Sequence, residues 1–420
     1  MSGPCQSVIV LNDFCYVQGG ASKVAIDEAV ALRSFGLDVT FLAAVGDPCQ
    51  PLRDAGVRVV SLGQPELLDA LRHPGAAVRA MWNPAAFAAM RNLLGQHDPR
   101  RTVVHLHGYT KALSTSPALA ARDAGFPTVC TLHDFFAACP NGAFYDYRLQ
   151  APCTLPALSA ACVFTNCDKR HALQKAYRVL RGLAQRHVAR FPACVTDFIT
   201  LSRRSAELLR QYLPPQAILH PLSNMIDVPC ESAVDVAANR PLVVVGRLEA
   251  EKGVDLAAAA ASQAGMPIIF AGDGPLRQKV EATGAKVTGW LDQRAVWQVL
   301  GESRCLVFPS RWYEAFGLVV AEAAARGVPA IVSDISAAAE RVEEGVTGWI
   351  YQSGDLGQLV DRMRAVRDDA TVRAAGLATY NCFWASPPNR RSHVRELQGI
   401  YNEMLVRSGA GSEPDEVFAG

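Results

Sequence analysis

The sequence predicts an α/β protein of two doubly wound, Rossmann-like domains in tandem. Three observations predict it. Short apolar runs rich in Val and Ile recur and read as buried strands. Ala/Leu-rich segments with helical spacing lie between them. The same plan returns after about residue 195, with the join near 191–196. Strands alternating with helices imply a parallel sheet. A chain of 420 residues is long enough for two such domains.

In the first half, strands are expected at 8–11, 39–42, 57–60, 103–106 and 128–131, and helices at 21–34 and 85–94. In the second half, strands are expected at 197–201, 218–220, 242–245, 267–270, 286–288, 305–308 and 329–333. Helices there fall at 254–264, 276–283, 296–300 and 318–326. The domains are therefore set at 1–195 and 196–384. Residues 231–239 read as a loop within the second half. Pro387-Pro388 precedes a helix-like tail to residue 407, and the Gly/Ser/acidic end, 408–420, reads as disordered.

Composition bounds the function. A hydrophobic fraction of 50% with 19% charged residues suits large buried sheets. A net charge of +1 carries no nucleic-acid signature. No apolar run is long enough to span a bilayer, and the first residues lack a basic stretch followed by an apolar one. Twelve Cys make no disulfide scaffold in a chain this long; Cys130, Cys194 and Cys305 sit in apolar runs as ordinary buried thiols. A reducing cytoplasm is the simplest compartment.

In open parallel sheets, ligands bind beyond the carboxyl ends of the strands, so the turns that follow the strands carry the chemistry. After 305–308 comes Pro309-Ser310-Arg311-Trp312-Tyr313-Glu314-Ala315-Phe316-Gly317-Leu318, which opens a helix containing Glu322. A strand, a Gly turn and a helix N-terminus make an anion pocket. Carboxylates repel phosphate, so Glu314 and Glu322 suit hydroxyls beside it. After 242–245 come Gly246-Arg247 and Lys252-Gly253: Arg forks onto phosphate oxygens, and Lys acts as a point charge. The plainer account is a solvated pair neutralised by Glu249 and Glu251. After 267–270 comes Gly272-Asp273-Gly274-Pro275, either turn chemistry alone or a turn that lets a base approach the backbone. In the first half, Gly19-Gly20 opens a helix, and His105, His107 and His133 end strands, with Asp134 beside His133.

Together these motifs resemble the retaining glycosyltransferases of family 4, which have the GT-B fold. The matching pieces are Gly19-Gly20, residues 103–108, Thr131-Leu132-His133-Asp134, Asn224 with Asp227, Gly246-Arg247-Leu248 with Lys252-Gly253, residues 272–275, and Glu314 to Glu322 with seven residues between them. Asn224 lies in Ser-Asn-Met-Ile-Asp rather than before Gly, a departure from the commonest pattern. The resemblance covers about residues 7–405. It implies two Rossmann-like domains facing across a cleft, with residues 385–407 packing back on the first. It implies a nucleotide-diphosphate-sugar donor on the second domain and an acceptor on the first. Arg247 and Lys252 would hold the diphosphate, Glu314 the sugar hydroxyls and Glu322 the ribose. Gly20 and the backbone of Phe316, Gly317 and Leu318 would assist, and His133 would sit by the reacting sugar. Transfer would retain anomeric configuration without a required cofactor or divalent metal. No carboxylate presents itself as a covalent nucleophile, so front-face return is the expected route. Alternatives are a nucleotide-sugar epimerase of the same fold, or a non-catalytic nucleotide-sugar sensor or partner subunit.

Two further features stand apart. Cys139, Cys153, Cys162 and Cys167 lie in a loop-rich stretch; they are free thiols, or they close a tetrahedral structural Zn²⁺ site. From Lys169 to Arg190 run seven Lys or Arg and no acid, interleaved with Leu173, Leu180 and Leu183 at helical spacing. This is a solvated surface helix, or one laid on the inner face of an anionic membrane. On the membrane reading, the acceptor is lipid-linked or a growing cell-surface polysaccharide.

Overall fold

A computed structural model describes residues 5–65 and 75–410. The strands of the first half are β1 Ser7–Phe14, β2 Asp38–Val45, β3 Arg58–Ser61, β4 Thr102–Leu106, β5 Thr128–Leu132, β6 Tyr145–Asp146, β7 Ala151–Pro152, β8 Asp197–Thr200 and β9 Ile218–Pro221. Those of the second half are β10 Leu242–Val245, β11 Ile268–Ala271, β12 Lys286–Gly289, β13 Cys305–Phe308, β14 Ala330–Ser333 and β15 Gly348–Tyr351. The first sheet has seven parallel strands in the order β3-β2-β1-β4-β5-β8-β9. The second has six, also parallel, in the order β12-β11-β10-β13-β14-β15. β6 and β7 form a small antiparallel ribbon apart from both.

Central strands of a doubly covered parallel sheet are apolar throughout, because helices bury both faces. β1 is buried at every position, as are β5 and β13. One core cluster forms around β10, β13 and β14, with Leu242, Val243, Leu306, Val307 and Ile331 fully buried. Two more lie on the faces of the first sheet.

The domain boundary differs from the one expected at 195/196. β8 pairs with β5 and β9 pairs with β8, so residues 197–221 complete the first sheet. The second sheet begins only at β10, after an irregular stretch that includes 231–239. Alternation of strands and helices reveals a parallel sheet but not which sheet a strand joins. β15 is not among the expected strands.

The chain then crosses back. Helix Asp369–Ala385 packs on helix Leu318–Ala325 of the second domain. Helix Arg390–Ala410 buries Val394, Leu397, Tyr401, Met404 and Leu405 with Val8, Val10, Ile26 and Leu32 of the first. Ser408 and Gly409, expected in a disordered tail, continue this helix; residues 411–420 of that tail, and Met1–Pro4, lie outside the described residues.

Topology places the site. Strand order reverses between β1 and β4 in one sheet and between β10 and β13 in the other. The loops after those four strands diverge, and each pair leaves a crevice at its switch point. The two crevices face each other.

Candidate active site

An open cleft of about 820 Å³ lies between the two switch points. The first domain lines it with Asn12, Asp13, Gly19, Gly20, His107 and His133. The second lines it with Gly246, Arg247, Lys252, Glu314 and 316–318. Nine residues singled out from sequence, His133, Gly19, Gly20, Arg247, Lys252, Glu314, Phe316, Gly317 and Leu318, thus share one cavity.

Lys252 and Glu314 are ion-paired through Nζ and Oε1. The same Oε1 accepts from Ser310 Oγ at 2.9 Å and from Trp312 Nε1 at 2.6 Å. Lys252 Nζ also lies 5.2 Å from the centre of the Trp312 ring. Burial pushes the Glu314 carboxyl up, but the Lys252 ammonium and the three hydrogen bonds outweigh it and hold the group below its ordinary range. This pairing depends on Gly253. Its φ is 65°, and a Cβ there would lie 2.0 Å from the Pro309 carbonyl oxygen, so only Gly lets the turn after β10 press against the turn after β13. Arg247 is half-exposed and held 3.1 Å from Glu249 Oε2.

Two helix N-termini meet at the cleft. Helix Gly20–Ser34 has no side-chain cap, and neither has helix Leu318–Ala325, whose cap Gly317 has φ 83°. A Cβ on Gly20 would lie 3.9 Å from Leu318 Cδ1. Free N–H groups and positive helix ends therefore flank the space that Arg247 and Lys252 overlook, and an anion there would be stabilised from both domains.

The other expected contacts lie elsewhere. Gly272, Asp273 and Gly274 do not line the cleft. Asp273 pairs with Arg277 at 3.0 Å. Gly272 and Gly274 back the turn after β10 so closely that a Cβ would come within 1.9 Å of the Gly246 oxygen and 2.6 Å of the Leu248 oxygen. They shape the loop that carries Arg247. Glu322 lies in a narrow adjoining pocket, with Lys23, Asp27, Glu28 and His393. Burial raises its carboxyl pKa, which Lys23 partly offsets.

In the first domain, Asp13 accepts four backbone N–H bonds, from Thr110 and Lys111 on Oδ2 at 2.9 and 3.0 Å, and from Ala112 and Leu113 on Oδ1 at 2.9 and 2.8 Å. It fastens the loop after β4 to the end of β1. His133 is partly exposed to the cleft, and its Nε2 lies 2.9 Å from His107 Nδ1. Burial, and then the neighbouring His107, hold the His133 imidazole well below its usual pKa, so the ring is neutral. Burial also pushes Asp134 up to about 6, against the Phe136 N–H and Arg181. Sequence reasoning missed Asp13, Ser310 and Trp312 as site-forming residues; their adjacency to strand ends was the available signal.

The four cysteines form no metal-ligand group. Among the described residues, only Glu28, His105 and His107 bring three ligand atoms within 4.8 Å of one another. Lys175 Nζ lies 3.3 Å from Cys167 Sγ and 3.6 Å from Cys162 Sγ, so an ammonium already sits against these thiols. Cys139 Sγ instead faces Asn141 Oδ1 at 3.1 Å. The basic strip also departs from expectation. Lys175 and Arg181 are buried, Arg178 pairs with Asp168 at 3.0 Å, and Lys169 reaches Glu249 and Glu251 of the second domain at 2.7 and 3.0 Å. Four of the seven cations serve the protein itself. Leu173 and Leu180 remain exposed. No helix among the described residues is long and apolar enough to cross a membrane.

Residues 237–375 match the family Glycosyl transferases group 1, and residues 19–225 match the Glycosyl transferase 4-like domain. The second span ends just beyond β9, in accord with the corrected boundary. The fold resembles that of Anabaena Alr3699/HepE in complex with UDP and glucose, with a TM-score of 0.66 at 17% identity over 95% of this chain and 100% of that one. It also resembles the sucrose-phosphate synthase of Thermosynechococcus elongatus, with a TM-score of 0.69 at 17% identity over 96% and 100%. Fold and site thus define the GT-B class. Each half of the chain matches a glycosyltransferase domain, and the two together have the GT-B fold.

Curated relatives match over shorter spans. An uncharacterized 41.2 kDa protein in the cps region of Klebsiella pneumoniae is 31% identical over 127 residues, 29% of this chain and 35% of the relative. A Mycobacterium tuberculosis glycogen synthase is 36% identical over 152 residues, 32% of this chain and 36% of the relative. The lipopolysaccharide core biosynthesis mannosyltransferase LpsB of Rhizobium meliloti is 44% identical over 105 residues, 24% of this chain and 28% of the relative. The chain spans about a third of the length of these relatives.

Proposed function

We propose that the protein transfers a sugar from a nucleoside-diphosphate sugar to a hydroxyl of a glycan or lipid-linked glycan acceptor, with retention of configuration. The observation that carries this is the convergence of Arg247, Lys252 and Glu314 from one domain with Gly20 and His133 from the other on one cleft. The diphosphate lies between the two helix N-termini. Its charge draws Lys252 from Glu314, and Arg247 and Lys252 offset the negative charge that grows on the leaving group, the role a divalent metal plays elsewhere. Glu314, released from Lys252 but still held by Ser310 and Trp312, accepts from donor-sugar hydroxyls. The acceptor hydroxyl attacks from the leaving-group face as the sugar–phosphate bond breaks, and its proton passes to the departing diphosphate. Among the described residues, the carboxylates lining the cleft are held by other groups, Asp13 by four backbone N–H groups, Asp134 by the Phe136 N–H and Glu314 by Ser310 and Trp312.

The UDP and glucose held by the HepE protein, and the mannosyl transfer named for LpsB, support a nucleotide-sugar donor. The cps-region relative and LpsB support an acceptor in a cell-surface polysaccharide pathway. Exposed Leu173 and Leu180, with Arg170 nearby, support contact with a membrane that carries a lipid-linked acceptor.

The test is thermal-shift screening with uridine, guanosine and adenosine diphosphate sugars, followed by incubation with the labelled donor that binds. A ligand bound only by the native state raises the melting temperature, by about 2.7 kcal/mol of stabilisation at a hundredfold excess over Kd. Glycoside formation or slow donor hydrolysis supports the proposal. Binding without turnover would make the chain a sensor, and interconversion of the sugars an epimerase.

A further inference from the structure

Behind His133 lies a buried network that the glycosyl-transfer chemistry does not itself require. Glu28, on the helix that begins at Gly20, is 3% exposed. Its Oε1 lies 3.0 Å from His105 Nδ1 and 3.3 Å from His107 Nε2, and its Oε2 lies 3.0 Å from His393 Nε2. His107 and His393 are 3% and 4% exposed, and His105 is fully buried. The outer links are equally close. His107 Nδ1 lies 2.9 Å from His133 Nε2, His105 Nε2 lies 2.7 Å from Thr131 Oγ1, and His105 Nδ1 lies 2.7 Å from the Tyr401 hydroxyl.

The proton positions follow from the partners. His393 Nδ1 faces the Ser223 carbonyl oxygen at 3.0 Å while its Nε2 faces Glu28. Both are acceptors, so both ring nitrogens carry protons and His393 is an imidazolium. It neutralises Glu28, and the cluster is charge-balanced without a further cation. The Glu28 Oε1–His107 Nε2 approach at 3.3 Å is too bent to be a hydrogen bond, but the charge of an ionised carboxylate at that distance favours the His107 proton on Nε2. Neutral His107 must then accept on Nδ1, which makes His133 Nε2 the donor. The remaining ring nitrogen of His133, Nδ1, keeps its lone pair on a ring that lines the cleft.

We propose that Glu28 and His107 are positioning residues that lock His133 in the Nε2–H tautomer, and that His393 of the C-terminal helix anchors Glu28 as their counter-charge. The logic is that of a base held in one tautomer by a carboxylate behind it, with one extra imidazole in the chain. Burial opposes the charge on both Glu28 and His393. The imidazoles of His105 and His107 nevertheless hold Glu28 well below its usual range, and Glu28 holds His393 above its own. The consequence for transfer rests on the function proposed above; the tautomer itself does not.

The experiment is nitrogen-15 NMR of histidine-labelled, ligand-free full-length protein, in which protonated and lone-pair ring nitrogens have distinct shifts. Wild type is expected to show His133 protonated at Nε2. Glu28→Gln offers His107 an amide donor as well as an acceptor, so His133 is expected to move toward a mixture with the Nδ1–H form. Exposed His171 serves as the unchanged control. His107→Phe keeps ring volume, removes the link and gives the same loss of tautomer preference should Glu28→Gln not fold. With UDP-glucose as probe, kcat for donor hydrolysis is expected to fall at least about tenfold with KM unchanged. A single unchanged His133 tautomer in either variant overturns the proposal. So does one equivalent of tightly bound transition metal in wild type that is lost from Glu28→Gln, which would make Glu28, His105 and His107 its ligands. A wild type with the expected tautomer but no activity on any nucleotide sugar would count against the glycosyl-transfer reading and leave the network standing.

Discussion

At the scale of single residues, the cleft holds its charges in pairs, which the proposed donor would have to re-pair. Lys252 and Glu314 neutralise each other in the free protein, and the Glu314 carboxylate keeps two neutral donors when Lys252 is removed. Lys252→Ala is therefore expected to fold and to lose roughly 10²–10³ in kcat on the donor found by thermal screening; near-wild-type turnover would remove Lys252 from the leaving-group role. Gly272→Ala acts differently. Its φ of 155° and the 1.9 Å approach to the Gly246 oxygen force the Arg247 turn to move. It is expected to cost more than about 1 kcal/mol in urea unfolding and to weaken nucleotide binding together. Unaltered stability would show that the turn relaxes freely. Arg247, Lys252 and Glu314 were legible in the sequence because each follows an apolar run that could only be a buried strand. Glu28 was not, since one acid in an amphipathic helix looks like a solvent-facing residue. Nothing local announces that its partners come from residues 105, 107 and 393. Gly272-Asp273-Gly274 lies off the cleft, and composition could not tell this in advance, because a turn that props a binding loop has the same residues as one that touches ligand.

At the scale of elements, the switch points made most of the fold readable. Strand positions followed from apolar runs, and the ends of those runs located the rim. What alternation could not supply was membership. β8 joins the first sheet by pairing with β5, a contact between segments more than sixty residues apart in sequence, and β9 follows by pairing with β8. The C-terminal helix illustrates how distant elements are tied. Tyr401 is fully buried, and its hydroxyl meets His105 Nδ1 at 2.7 Å, so that helix is bonded to β4 through a polar contact within an apolar cluster. Tyr401→Phe keeps the ring and removes the hydroxyl. It is expected to destabilise by about 1–3 kcal/mol, because the His105 nitrogen loses its hydrogen-bond partner and keeps only Glu28 Oε1, 3.0 Å away, as a polar neighbour. Chemical denaturation measures this, and a change below about 0.5 kcal/mol would mean that Glu28 alone satisfies His105.

At the scale of the whole molecule, the two domains are held by the returning C-terminal helix and by a buried charge cluster that this helix completes, so the stability of the assembly should track the ionisation of that cluster. Burial, and then the neighbouring His107, lower His105 from its ordinary 6.5 to about 4, with Glu28 opposing. Between those values the unfolded chain binds a proton that the folded one refuses, so stability falls as pH drops from 6.5 toward 4, by on the order of 3 kcal/mol for a shift of this size. His393 moves the other way. Glu28 raises its pKa against burial, so its contribution is complete below 6.5 and is lost as pH climbs through the raised value. Glu28, lowered, adds a loss only at lower pH, as acid reaches its depressed folded value. His133, also held well below its usual value, adds to the acid loss, whereas Asp134, raised to about 6, offsets part of it as pH drops from 6 toward 3.8. The His105 and His393 contributions together favour a maximum in melting temperature just above pH 6.5. Each limb has a residue whose removal changes its slope. His105→Asn should make the acid limb shallower, and His393→Gln the alkaline one, even though both lower the peak. An alkaline limb that persists unchanged in His393→Gln would show that the imidazolium–carboxylate pair does not join the C-terminal helix to the first domain.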